Sequence, residues 1–314
     1  MSKLDEIRNR LKRDAESGSV LDKYSPAKQV DAAKSQSKDA GASDFSFNAV
    51  EQDAPVVYQA HKRAIFIGNN EYDQNPLSKC VNDARSMQHV FSKIGYRLVY
   101  DFDLNSEKMH KLFDRFKSDI EEGDELLLYF SGHGVQVNSE SYLTPIDSGT
   151  GDFIHKSSVH WVNLDKEMDE MLARGAKMVV AIVDACRNQY RIDYQSLAEQ
   201  VYISGVQDGL EMTQELSQNS ANSSKQFITS TNSRGAQGKA VLFATSHNTS
   251  AIEYGDMTNG IFTHFFLKEV VKPGRTITEV IERVRGLVSE YTDGQQVPAF
   301  HNNLPGDYYF INQS

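Results

Sequence analysis

Two short segments carry the residue types needed for covalent chemistry. They are Phe130-Ser131-Gly132-His133-Gly134 and Asp184-Ala185-Cys186-Arg187-Asn188, with His133 and Cys186 53 residues apart. A thiol is mostly protonated near neutral pH, and its thiolate is the form that attacks a carbonyl. An adjacent imidazole would take that proton and later return it to a leaving amine. Glycines at 132 and 134 allow a sharp turn and a close approach of a substrate backbone. Backbone N–H groups of Gly134 and Cys186 would then hold the oxyanion, each such donor contributing about 3 kcal/mol. Taken singly, Cys186 would read as a buried apolar residue and His133 as a loop histidine. Taken together, the pair predicts hydrolysis of an acyl bond by a thiol.

Both segments close runs that fold as strands. Leu126-Leu127-Leu128-Tyr129 precedes the histidine, and Met178-Val179-Val180-Ala181-Ile182-Val183 precedes the cysteine. Unbroken apolar runs of this length read as buried parallel strands, and open α/β sheets place their chemistry at the C-terminal ends of such strands. From Arg63 onward, strands are expected near 63–69, 96–100, 125–131, 178–184, 240–245 and 307–311. Helices are expected near 78–93, 106–121, 163–173, 261–271 and 276–289, several with apolar residues at three- and four-residue spacing. The alternation predicts an α/β fold: a mostly parallel sheet with helices on both faces.

These residues resemble the caspase family. The caspase signature is Gln-Ala-Cys-(Arg/Gln/Gly)-Gly with its histidine about 50 residues upstream. Here Asp184-Ala185-Cys186-Arg187-Asn188 and Ser131-Gly132-His133-Gly134 stand in those places. The resemblance runs over roughly 61–312 and takes in Arg63-Ala64-Ile65-Phe66-Ile67-Gly68-Asn69 and Val81-Asn82-Asp83-Ala84. Asn259-Gly260-Ile261-Phe262 and Asp307-Tyr308-Tyr309-Phe310 also belong to it. It points to the metacaspase, paracaspase and prokaryotic caspase-homologue branch. The fold it implies has six core strands, the last running antiparallel.

Position 184 sets the expected specificity. Animal caspases carry glutamine there and use arginines to bind an acidic P1 side chain, the residue before the cut bond. Asp184 matches instead the arginine-cutting branch, whose pattern implies three acidic residues in the P1 pocket. These fall on Asp83, Asp184 and Glu253. Converging carboxylates would bind a guanidinium in a bidentate way, an ammonium less selectively, and would repel an acidic group. A polypeptide substrate with P1 Arg, or Lys, is therefore expected. Asp83 alone would also suit a helix start, where negative charge is favoured.

Composition agrees. The 314 residues are 39% apolar and 24% charged, ordinary globular usage. Net charge is −10, against nucleic-acid binding. Residues 1–60 hold 9 basic and 10 acidic residues, so the acidity belongs to the remainder, with 24 and 33. No apolar run approaches a membrane span and no signal-peptide core is visible. Only two cysteines occur, Cys80 and Cys186, which suits a reducing, cytoplasmic setting.

Residues 1–60 are expected to form a mobile arm or prodomain, and 61–314 the catalytic domain. Within 1–16 a weak helical stripe of Leu4, Ile7 and Leu11 appears, and 18–53 is polar and poor in aromatics. A long linker or insertion is expected at 187–239, its centre rich in Ser, Asn, Gln and Gly, with segment 196–212 reading as helix. The resemblance implies a zymogen cut in this linker. Arg234 is the preferred site, with Arg191, Lys225 and Lys239 as further candidates, cut in cis or by an upstream protease. A regulator contacting the arm is a further expected partner.

Metacaspase resemblance would also imply calcium held by aspartates after the histidine loop. The corresponding stretch, Val135 to Gly151, offers only Glu140 and Asp147. Calcium takes about six to eight oxygen ligands, so no metal or other cofactor is expected unless Asp152, Asp165 and Asp169 converge. Two other readings fit the same fold: a catalytically silent adaptor, and a thiol hydrolase or transpeptidase acting on another bond.

Overall fold

A computed structural model of the protein describes residues 57–137, 140–148, 161–185, 188–190, 238–245 and 257–311. Three unbroken apolar runs make the centre of a sheet: β1 (Lys62–Gly68), β3 (Glu125–Gly132) and β7 (Met178–Ala185). Every residue of β7 and all but one of β3 are buried, as strands covered on both faces must be. β2 (Arg97–Phe102), β9 (Gly238–Phe243) and β10 (Ala299–Asn302) complete six strands in the order β10-β9-β7-β3-β1-β2. All neighbours are parallel except β9 and β10, which run antiparallel.

Alternation along each strand sends side chains to two separate cores. Tyr129, Val180 and Ile182 join one core with three helices: α1 (Cys80–Lys93), α4 (Ile261–Val270) and α5 (Ile277–Tyr291). Leu128, Phe130, Ala181 and Val183 join the other, with α2 (Ser106–Ser118) and α3 (Leu164–Ala173). Side chains start three of these helices. Asn105 accepts from Lys108 N, Asn163 accepts from Lys166 N, and Thr276 with Glu279 forms a capping box. The chain runs from β1 to β2 on one side and then to β3 on the other. This is the switch point at which open α/β sheets bind ligands.

The five expected helices are present with shifts of a few residues, and five of six strands fall where expected. The sixth is a correction. It is Ala299–Asn302, not 307–311, which makes only an isolated bridge between Thr276 and Tyr309. Alternating aromatics at Tyr308 and Phe310 suggest a strand, but both rings are buried plugs, 1% exposed. Their carbonyls are taken by other groups: Ile277 N–H donates to Tyr308 O, and the Tyr96 hydroxyl to Phe310 O. Between them, the Lys62 ammonium donates to Tyr309 O at 2.7 Å and lies 4.3 Å from the Tyr308 ring centroid. The real edge strand lacks an apolar signature because it is half exposed.

A second, four-stranded sheet in the order β6-β5-β4-β8 stands at the end of the first. Its strands are β4 (Gly134–Val137), β5 (Glu140–Leu143), β6 (Val162–Asn163) and β8 (Asn188–Tyr190). Strands of two to four residues with polar composition leave no periodic signal, and the sequence reading missed them.

Candidate active site

His133 occupies the single step between β3 and β4, where the chain leaves the large sheet for the small one. The strand beside it makes the same passage. β7 pairs with β3 as far as Gly132↔Ala185, and β8 pairs with β4 from Val135↔Asn188, both in parallel. Partner numbers differ by 53 in both ladders, so no residue is gained or lost on either chain across the break. Cys186 and Arg187 lie outside the described residues.

The histidine is held from several directions. Its Nε2 lies 2.7 Å from Asn75 O. A carbonyl only accepts, so Nε2 carries the hydrogen and Nδ1 presents the lone pair of the neutral ring. Asn75 has φ 54°, a left-handed conformation that asparagine tolerates. The His133 N–H donates to the Tyr72 hydroxyl at 2.8 Å, and that hydroxyl donates to Thr144 O at 3.1 Å. Thr144 returns two bonds to His133 O, from its N–H at 3.1 Å and its hydroxyl at 2.8 Å. The Tyr72 and His133 rings pack with centroids 4.4 Å apart. Burial pushes the Tyr72 phenol pKa up, so it stays a hydroxyl. Gly132 is required here because a Cβ would lie 2.5 Å from the Tyr72 hydroxyl. Since His133 O already bonds Thr144 N, ladder alternation turns the Gly134 N–H away from β5, toward the β8 side.

Asp83 and Asp184 meet on the other side of β7, at the α1 and α4 face. Asp83 lies in the first turn of α1 and Asp184 next to last in β7, with exposures of 2% and 7%. Asp83 Oδ1 accepts from the Asn259 side-chain amide at 2.8 Å and from Gly260 N–H at 3.0 Å. Asn259 also donates to Ser86 Oγ at 3.1 Å. Asp184 Oδ2 accepts from the Thr263 hydroxyl at 2.7 Å, whose oxygen is 2.6 Å from the Tyr129 hydroxyl. Thr263 has one hydrogen and spends it on Asp184, so Tyr129 donates to Thr263. Burial, then the charges of Asp83 and Asp184, hold the Tyr129 pKa well above its ordinary value and keep that donor protonated. Glu253, the third expected acid, lies outside the described residues.

Tyr72, Asn75, Tyr129 and Thr263 escaped the sequence reading. Tyr129 and Thr263 had a signal, since each is a polar group inside an apolar run, 0% exposed in the fold. Tyr72 and Asn75 had none.

Of the four candidate cleavage residues, Arg191, Lys225 and Arg234 lie outside the described residues. Lys239 is inside β9, paired with Val179, and its ammonium is 2.8 Å from Asp169 and 3.4 Å from Asp165. Cutting there would need a sheet strand to be pulled out, which argues against that site. The carboxylates weighed for calcium hold other groups. Asp165 and Asp169 pair with Lys239, Asp147 accepts from Ser106 N–H, and Glu140 accepts from the Tyr142 hydroxyl. Asp152 lies outside the described residues, as do residues 1–56 of the arm and 191–237 of the linker.

A six-stranded sheet with only its last strand antiparallel, flanked by five helices, is the caspase-like fold. The structure of Caspase-1 from Spodoptera frugiperda superposes with a TM-score of 0.54 at 14% identity, covering 84% of this chain and 96% of that one. A family model described as caspase domain matches residues 61–309, and the chain belongs to that family of peptidases. Mucosa-associated lymphoid tissue lymphoma translocation protein 1 of Homo sapiens is 24% identical over 226 residues, 71% of this chain. Metacaspase-5 of Trypanosoma cruzi (strain CL Brener) is 27% identical over 166 residues, 45% of this chain. The matches span only 23% and 36% of those two proteins' own lengths. Among the described residues no helix is long and apolar enough to cross a membrane.

Proposed function

We propose that the protein is a cysteine endopeptidase that cuts polypeptides after Arg or Lys. Cys186 is the nucleophile, His133 the base, and Asp83 and Asp184 the walls of an acidic P1 pocket completed by Glu253. The observation that supports this reading is the common offset of 53 in the β3–β7 and β4–β8 ladders, the same spacing that separates His133 from Cys186 in the sequence.

With Nε2 committed to Asn75 O, the Nδ1 lone pair takes the thiol proton. The thiolate adds to the scissile carbonyl, and the Gly134 and Cys186 N–H groups stabilise the oxyanion. His133 then protonates the leaving amine, and water hydrolyses the acyl-enzyme. Two buried carboxylates, accepting from the Asn259 amide, the Gly260 N–H and the Thr263 hydroxyl, favour a cation over an acidic P1 head. No cofactor takes part in these steps. The linker at 187–239, cut first at Arg234, would make the precursor a zymogen, with an upstream protease or a regulator of the arm as activating partner. A reducing compartment such as the cytoplasm keeps Cys186 active.

The test is cleavage of peptides varied only at P1 by the wild type, Cys186→Ala and Asp184→Asn, each intact and nicked after Arg234. Basic-selective cleavage that vanishes in Cys186→Ala and loses P1 preference in Asp184→Asn is expected. Full activity in Cys186→Ala would refute the nucleophile. A wild type silent when intact and nicked, yet alkylated normally at Cys186, would favour an adaptor.

A further inference from the structure

Gly260 lies against both pocket carboxylates, and its lack of a side chain needs an explanation. Its φ of −57° and ψ of 152° suit any residue, so the backbone does not call for glycine. It is the N-cap of α4, a position that accepts glycine but where Ser, Asp or Asn would add a side-chain acceptor, and this cap has no side-chain bond. The explanation is the space in front of it. A Cβ built on Gly260 would lie 3.1 Å from Asp83 Oδ2 and 3.6 Å from Asp184 Oδ2, and its three nearest atoms all belong to these two carboxylates.

Resting on the P1-pocket reading above, we propose that Gly260 is a specificity-determining residue, leaving room for a cationic P1 nitrogen to bridge Asp83 and Asp184. A nitrogen donating to carboxylates needs about 2.7–2.9 Å to each oxygen, and a methyl on Gly260 would project about 1.5 Å into the space from which that nitrogen must approach. The Gly260 N–H meanwhile fixes one wall by donating to Asp83 Oδ1 at 3.0 Å, so backbone and missing side chain act together. A guanidinium reaches farther than an ammonium and offers a planar fork of donors, so the open position favours Arg over Lys.

The experiment compares wild type, Gly260→Ala and Gly260→Ser on matched P1-Arg and P1-Lys peptides. Thermal unfolding and the rate of Cys186 alkylation by iodoacetamide serve as readouts of fold and thiol. One extra methyl in a pocket is worth roughly 10–200-fold. For Gly260→Ala, kcat/KM on P1-Arg should fall by at least about tenfold within that range, mainly through KM. The fall on P1-Lys should be smaller, lowering the Arg-to-Lys ratio, while alkylation keeps its wild-type rate. A folded variant with unchanged KM and ratio would overturn the proposal. So would loss of folding in both variants, since glycine would then serve the fold. Failure of the underlying reading is separate: it shows in the wild type alone, as absence of any preference for a basic P1 residue.

Discussion

Thr263→Val keeps the shape of a buried side chain and removes the hydroxyl that links Tyr129 to Asp184. Two bonds disappear, one of 2.6 Å from the Tyr129 hydroxyl and one of 2.7 Å to the Asp184 carboxylate. A hydrogen bond to a charged group contributes about 1.5–3 kcal/mol, and a buried hydroxyl left without a partner costs about 1–3 kcal/mol. Tyr129 is fully buried, so water cannot replace its lost partner. The two effects share one atom and overlap, giving an expected destabilisation of about 3 kcal/mol. Equilibrium urea unfolding measures it as a lower midpoint at unchanged m-value. KM for a P1-Arg peptide should rise in parallel, because Asp184 loses the donor that orients it. Thr263→Ser keeps the hydroxyl and removes one methyl, so it should cost only about 1 kcal/mol and spare the P1 profile. Tyr129→Phe leaves the Thr263–Asp184 bond in place and should fall between the two. The reasoning is refuted by a Thr263→Val variant within about 0.5 kcal/mol of wild type whose KM for P1-Arg is unchanged.

Tyr72→Phe keeps the ring against His133 but strips the hydroxyl that joins the His133 N–H to Thr144 O. Steady-state kinetics should show kcat reduced about tenfold with KM nearly constant, as expected for a group that positions the base; an unchanged kcat would remove Tyr72 from the machinery. Burial pushes the His264 pKa down from 6.5 to about 3, and among the described residues its buried Nε2 has no hydrogen-bond partner. Between those two values the unfolded chain binds a proton that the folded chain refuses, so stability falls as pH drops through this window. At about pH 5 the loss relative to neutral pH from this one residue is about 2 kcal/mol. His264→Leu should flatten that part of the stability profile, and urea midpoints at the two pH values that shift in parallel with wild type would contradict it.

The long elements were legible because a single element reports its own burial. The apolar runs at β1, β3 and β7 could only be strands covered on both faces, and the three- and four-residue periodicity located the five helices of the described residues. The spacing of 53 between His133 and Cys186 was visible too, and it equals the offset between partners in the β3–β7 and β4–β8 ladders. Where burial and local pattern part company, the sequence misled. Aromatics at 308 and 310 looked like a strand because they are buried, although they plug the core from irregular backbone. The half-exposed edge strand at 299–302 and the short strands of the second sheet had nothing periodic to display.

By itself the sequence determined the α/β class, the paired strand ends and the chemical types available there. Only the tertiary structure decided which distant groups touch. Asp83 and Asn259 are 176 residues apart and share a hydrogen bond, and Thr263 reaches Asp184 across 79 residues. Local periodicity encodes which face of a helix or strand is buried. Where two buried faces put their polar atoms in contact depends on how separate elements pack, so the Tyr129–Thr263–Asp184 relay and the space in front of Gly260 became visible only in the folded chain.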